Sequence, residues 1–200
     1  MKDRVEFYFD FSSPYGYFAS LRIDRIAERA NRVAAWKPIM LGSVFKETGS
    51  QPLITIPIKG EYCRKDWDRL GRLYNVPWVL PDPHPITTLA ASRAFYWIDE
   101  QDPDLAKAFA TAAFHAHFGE GRDISPVNAV ADVAEPLGIS RTALRSALAD
   151  ERWKKRLKDE GGGAIAKGVC GAPFFIVDGE GFWGCDRMEM MEKWMAEGGW

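Results

Sequence analysis

The chain has 200 residues, 46% of them hydrophobic and 27% charged, with a formal net charge of −2. That is enough for one well-filled core or a domain carrying a large insertion, and it is the balance of a soluble globule. The charge offers no basic field to draw nucleic acid, and no stretch approaches the roughly 18 to 20 apolar residues of a membrane span. The first residues run straight into a strand with no signal-peptide core, so a cytoplasmic protein is expected. Cys63, Cys170 and Cys185 are odd in number and far apart, which argues against a disulfide framework and suits a reducing compartment.

Val5, Phe7 and Phe9 alternate with Glu6, Tyr8 and Asp10, the period-two signature of a strand. Ala19, Ile23, Ile26 and Ala30 recur at helical spacing, which predicts one amphipathic helix over 14–30. A second strand follows over 33–39. This β-α-β unit sets its two strands parallel. Residues 40–58 read as irregular, because Gly49, Pro52 and Pro57 oppose a long helix. A helix is expected over 59–75, then extended backbone through Pro81-Asp82-Pro83-His84-Pro85. The middle is helical over 87–99 and 104–117, with further helices opening near Ser125-Pro126 and around Leu144. Gly161-Gly162-Gly163 reads as a flexible joint. Beyond it, Phe174 to Val177 and Phe182-Trp183 form a hairpin about Asp178-Gly179, and Asp186-Arg187-Met188-Glu189 has the pattern of a capping box opening a last helix.

The most informative junction is Asp10-Phe11-Ser12-Ser13-Pro14-Tyr15-Gly16, where the first strand gives way to a helix. Ser13 stands at the positive helix end, with proline at the first helical position. As a local feature Ser13 is an N-cap. It is also a hydroxyl placed to hydrogen-bond an anion. In thioredoxin-like proteins this junction carries a C-x-x-C pair; here Ser13-Pro14-Tyr15-Gly16 has no sulfur, so a thiol would have to be borrowed, and glutathione is the obvious lender.

Three segments carry a resemblance to a known family: Phe9-Asp10-Phe11-Ser12-Ser13-Pro14-Tyr15, Val169-Cys170-Gly171-Ala172-Pro173-Phe174 and Trp183-Gly184-Cys185-Asp186-Arg187, with Ile56-Pro57-Ile58-Lys59-Gly60-Glu61-Tyr62 between them. The chain resembles the 2-hydroxychromene-2-carboxylate isomerase family, which is close to the kappa-class glutathione transferases and more distantly related to DsbA-type oxidoreductases. The resemblance implies an α/β thioredoxin-like fold, β-α-β then β-β-α, interrupted by a helical insertion. Residues 1–41 and 165–200 would form the thioredoxin-like domain and 42–164 the insertion. It implies glutathione in the cleft between them, a small aromatic-derived acid as substrate, and a homodimer.

The same resemblance distributes the roles. Ser13 is the catalytic residue, holding the glutathione thiolate. Ala172 and Pro173 match a cis-proline position, whose backbone pairs with an extended peptide. Gly184, Cys185 and Asp186 match the site of the γ-glutamyl end; Asp186 would pair with its ammonium, and as a bland alternative would only cap its helix. Cys185 stands where a polar Asn or Ser is expected, and its side chain reads as oxidation-sensitive. Ser50 stands near the place of an Asn that relatives use for the tripeptide. Lys59 and Tyr62 match positions lining the cleft, with Lys59 suited to a carboxylate of glutathione or substrate; its bland reading is a solvated helix lysine. No metal is assigned: His115 and His117 are two apart on a helix and face different sides, and His84 sits alone among prolines. The implied reaction interconverts 2-hydroxychromene-2-carboxylate and trans-o-hydroxybenzylidenepyruvate without consuming glutathione. The rivals are a kappa-like transferase or peroxidase, and a non-catalytic glutathione-binding protein.

Overall fold

The computed structural model describes residues 4–200, and its sheet has four strands in the order β2-β1-β3-β4. β1 (Arg4–Phe9) and β2 (Val33–Pro38) are parallel, with Phe7 opposite Trp36. β3 (Phe174–Val177) lies antiparallel to β1, and β4 (Glu180–Trp183) antiparallel to β3. The hairpin turn has Asp178 and Gly179 at φ 54° and 90°, the left-handed pair that matches the twist of its strands.

Ten α-helices surround the sheet. α1 (Pro14–Ser20) and α2 (Ile23–Arg29) link β1 to β2. α3 (Leu41–Thr48) and α4 (Lys59–Tyr74) follow, then α5 (Leu89–Asp99), α6 (Pro103–Phe114), α7 (Val127–Ala134), α8 (Arg141–Ala149) and α9 (Glu151–Ala166). α10 (Met188–Glu197) closes the chain after β4. This is the thioredoxin-like fold with a helical insertion that the sequence predicts, and Ala172–Pro173 is cis as expected. Asp82–Pro83 and His84–Pro85 are cis as well.

Three local expectations are corrected. The helix predicted over 14–30 is two helices, because the Ser20 hydroxyl donates back to the Tyr17 carbonyl at 2.7 Å and competes with the helix ladder. Residues 41–48 of the segment read as irregular form α3. Gly161, Gly162 and Gly163 are not a joint; α9 runs through all three. Each glycine costs a helix up to about 1 kcal/mol relative to alanine. The buried stripe Trp153, Leu157 and Ala164, and the ion pairs Arg156–Glu160 and Lys37–Glu160, hold the helix against that cost.

The core starts on β1. Val5, Phe7 and Phe9 are fully buried on one face, and Tyr8 is buried on the other beneath Ile39, Val44, Ala164 and Val169. Phe9 and Phe11 carry the first face into the helices: their rings lie 5.1 Å apart, and each meets Phe114 of α6, at 5.5 and 5.1 Å. One apolar cluster therefore joins sheet and helical block.

Asp10 ties the same elements by polar contacts. Its carboxylate accepts from the Ser12 amide (2.9 Å) and hydroxyl (3.0 Å), the Thr88 hydroxyl (2.8 Å) and the Leu41 amide (2.8 Å), while it is 2% exposed. Two histidines are also sunk in the aromatic layer. His84 follows α4 in the proline-rich connection, and His117 sits in a single π turn (His115–Gly119) ending α6; both pack against Phe118. Burial lowers both imidazole pKa values, that of His84 to about 4, with the nearby His117 and Arg64 acting in the same direction.

Replacing Asp10 by alanine strands four donors and is expected to cost about 3 kcal/mol, read as a fall in denaturant midpoint at unchanged m-value. Acidification supplies a second prediction. His84 binds its proton more weakly folded than unfolded, so its contribution is fully present above the unfolded pKa and is lost as pH falls from about 6.5 toward about 4. The loss is at most about 3 kcal/mol and smaller where solvent reaches the ring. His84→Phe should flatten the stability profile in that window, measured by denaturation at a series of pH values.

Candidate active site

Ser13 is the N-cap of α1, with extended backbone at φ −94° and ψ 111°. Its hydroxyl accepts from the Gly16 amide at 3.1 Å and donates to the Ala172 carbonyl at 3.0 Å, and its amide donates to the Asp10 carbonyl at 2.9 Å. The residue is 4% exposed. A hydroxyl has one proton, and here it bridges two loops 159 residues apart in sequence. Ser13 is thus a true cap, and it also faces the Ala172–Pro173 loop. The α1 dipole comes from two turns, not from the long helix expected; since the effect is confined to the first turn, its sign at Ser13 is unchanged.

The second wall is built at the sheet edge. The Gly184 amide donates to the Pro173 carbonyl at 3.0 Å, which sets the end of β4 beside the proline loop. Gly184 has φ 107°, a conformation reserved for glycine, and a Cβ there would lie 2.4 Å from Asp186 Oδ1. Gly171 is covered by the indole of Trp183; a Cβ on Gly171 would sit 2.4 Å from its Nε1. Trp183 is nevertheless 60% exposed, so one indole face stays open beside the loop. Cys185–Arg187 is a single 3-10 turn packed against α1. Ser13, Ala172, Pro173 and Gly184 are brought together in this way, with Cys185 and Asp186 next to them.

Two side-chain expectations change. Cys185 is buried and its thiol is pushed up to about 12, chiefly by burial and then by the Asp186 carboxylate, so it is a protonated, inert packing residue at neutral pH and not an oxidation-sensitive one. Asp186 does not cap α10: Arg187 holds the N-cap position with no side-chain cap, and the Asp186 carboxylate is largely exposed, 3.3 Å from Arg187.

α4 forms the remaining side. It opens at Ile58, which has φ 68° and ψ −51°, is 87% exposed, and is spanned by a 2.7 Å bond from the Lys59 amide to the Pro57 carbonyl. That is a strained γ-turn on a β-branched residue. Lys59 and Tyr62 are exposed on the first turn of α4. The opposite face of the helix, Cys63, Asp66 and Trp67, meets Tyr15: its hydroxyl donates to Asp66 at 2.9 Å, and its ring lies 5.9 Å from Trp67. Desolvation, then the bond to Asp66, raises the Tyr15 pKa, and burial raises that of Cys63, so both stay protonated. This contact positions α4 against Ser13, and sequence reading missed it, although the spacing 63, 66, 67 marks an inward helix face. Ser50 is exposed after α3; its amide bonds Phe45, and among the described residues no side-chain bond joins it to the others.

Comparison with known proteins places this geometry. The DSBA-like thioredoxin domain model matches residues 4–196. A 2-hydroxychromene-2-carboxylate isomerase of Sphingobium xenophagum is 28% identical, covering 98% of this chain and 100% of its own. Glutathione S-transferase kappa 1 of Rattus norvegicus is 26% identical, covering 96% and 92%. The solved structure of a 2-hydroxychromene-2-carboxylate isomerase superposes with a TM-score of 0.86 at 29% identity, over 97% of this chain and 95% of that one. The chain belongs to the DSBA-like thioredoxin domain family.

Proposed function

We propose that this protein is a glutathione-dependent isomerase of the 2-hydroxychromene-2-carboxylate type, acting as a cytoplasmic homodimer on a small aromatic-derived acid. In that reading residues 1–41 and 165–200 are the thioredoxin-like domain and 42–164 the helical one. Relatives named as isomerases support an enzyme role at the family level. The observation that carries the reading is the Ser13 hydroxyl, buried at the head of α1 and bonded to Ala172, in a strand–helix junction without a thiol.

The donor set fits the tripeptide. Asp186 presents an exposed carboxylate for the ammonium of the γ-glutamyl end, and the backbone of Gly184 and Cys185 lies beside it. Ala172 and Pro173 offer main chain to an extended peptide. Lys59 offers an exposed ammonium for a carboxylate of glutathione or substrate, Tyr62 an exposed ring for the substrate, and Ser50 an exposed hydroxyl farther along the same segment. When bound, glutathione supplies a thiolate that adds reversibly to a conjugated carbon, allows bond rotation and leaves. Ser13 must then turn its single proton from Ala172 to the sulfur, while the Gly16 amide continues to hold the oxygen. That bond and the α1 terminus lower the thiol pKa by about 1–2 units, about 1.4–2.7 kcal/mol. A kappa-like transferase is the second reading, favoured by the rat relative; recovery of intact glutathione after turnover separates the two.

Ser13→Ala should raise the pKa of bound glutathione, read by thiolate ultraviolet absorbance, and cut isomerase turnover by about 10- to 1000-fold. Unchanged turnover removes Ser13 from the mechanism. Asp186→Ala should weaken glutathione binding by about fivefold in calorimetry, the value of about 1 kcal/mol for one exposed charge pair, with no change in melting temperature.

A further inference from the structure

Three buried polar atoms meet in the aromatic layer behind Tyr15 with no hydrogen-bond partner: Trp67 Nε1, His84 Nδ1 and His117 Nε2. They come from α4, the proline-rich connection and the π turn after α6, yet their rings are neighbours. Trp67 and His84 lie 6.0 Å apart, and His84 and His117 lie 6.2 Å apart. Trp67 is 2% exposed and His117 is fully buried; His84 is the partly exposed member, so approach is from its side. A buried polar group without a partner costs about 1–3 kcal/mol. Three such groups in one place point to a ligand that completes them.

The protonation pattern defines that ligand. His117 Nδ1 lies 2.8 Å from the Arg122 carbonyl, which only accepts, so Nδ1 carries the hydrogen. With burial keeping the ring neutral, Nε2 is then an acceptor. Trp67 Nε1 can only donate. One donor beside one acceptor is the complement of a hydroxyl, which takes the indole N–H on its oxygen and gives its own proton to the imidazole. A carboxylate has no proton to give to Nε2, and an ammonium has no lone pair for the indole. The walls are aromatic: Phe118 lies 4.5 Å from His117 and 5.9 Å from His84, and Trp78 lies 6.1 Å from Trp67. Tyr15 touches Trp67 and stands two residues after Ser13, which links this layer to the proposed reaction centre.

We propose that Trp67, His84 and His117 form a subsite for an aromatic hydroxyl, and so position the phenolic end of the substrate. This deepens the isomerase reading and rests on it for the identity of the substrate, but the binding step needs neither glutathione nor turnover. These are positioning residues, set apart from the thiolate-holding Ser13.

The test titrates the intact protein with phenol and with anisole, its methyl ether, which keeps the ring and cannot donate. Imidazole nitrogen and carbon-bound proton resonances of His84, His115 and His117 are followed by NMR, together with indole fluorescence. Phenol should move His117 Nε2 and His84 Nδ1 while leaving the half-exposed His115 in place, and should bind at least about tenfold more tightly than anisole, the worth of one hydrogen bond to a buried acceptor. His117→Phe should abolish that preference while glutathione affinity stays unchanged. Equal binding of the two compounds, or His84 and His117 resonances that phenol leaves unmoved, overturns the proposal and assigns the three atoms to buried water. Phenol selectivity in a protein without glutathione-dependent turnover would sink the isomerase reading and leave the subsite standing.

Discussion

The Asp10 carboxylate is the constraint on which the site depends. It ends the central strand, is sealed from water, and takes donors from three separate parts of the chain: the Ser12 junction, the first amide of α3 and Thr88 at the head of α5. A buried carboxylate survives only when its lone pairs are filled, so each partner must sit where the carboxylate holds it. The Asp10 carbonyl also receives the Ser13 amide. The hydroxyl that faces the Ala172 loop is therefore placed from both ends, by its own cap to Gly16 and by the clamp at Asp10. The helical block is positioned by the same clamp, because Thr88 belongs to it.

Such a clamp explains how a thioredoxin-like junction can work without sulfur. A cysteine pair would need no preorganised donor, since the thiolate is its own reagent. A borrowed thiol arrives with three rotatable bonds and must be met by a group already in place. Ser13 is such a group, buried, with a fixed rotor on one side and an exchangeable acceptor, Ala172, on the other. The two remaining thiols near the site are kept out of the chemistry by burial. Cys63 and Cys185 both have raised pKa values, so neither competes as nucleophile.

Much of this was legible in the sequence because it is local. Alternation gave β1, β2 and the hairpin. The Ser13-Pro14 pair gave the cap, and the proline after Ala172 gave the cis bond. What was misread depended on partners distant in sequence. The Ser20 back-bond that splits the first helix has a weak local signal, and the glycine run in α9 reads as a joint until Trp153, Leu157 and Ala164 are seen to bury one face. The capping-box pattern at Asp186 has the right letters, yet a 3-10 turn intervenes and leaves the carboxylate exposed. Tyr15–Asp66 and the Asp10 clamp join residues 30 to 80 positions apart, beyond the reach of periodicity.

The histidines show the same limit most plainly. On an ideal helix His115 and His117 diverge, and His84 has no neighbour in sequence, so helical geometry offered nothing to join them. The π turn at His115–Gly119 rotates the end of α6, and the extended backbone after α4 returns His84 to meet His117 across Phe118. An aromatic layer of Trp67, Trp78, Phe114 and Phe118 would be fully apolar without them, and apolar rings there would cost nothing to bury. Two neutral imidazoles and an indole N–H with open valences make the layer less stable than that alternative. A wall that selects among aromatic acids by shape alone separates ligands by about 1–3 kcal/mol, whereas a wall with a matched donor and acceptor rejects the ligand lacking the hydroxyl far more strongly. The polar atoms in this layer follow the second logic, and the layer begins one ring away from Tyr15, on the helix that Ser13 caps.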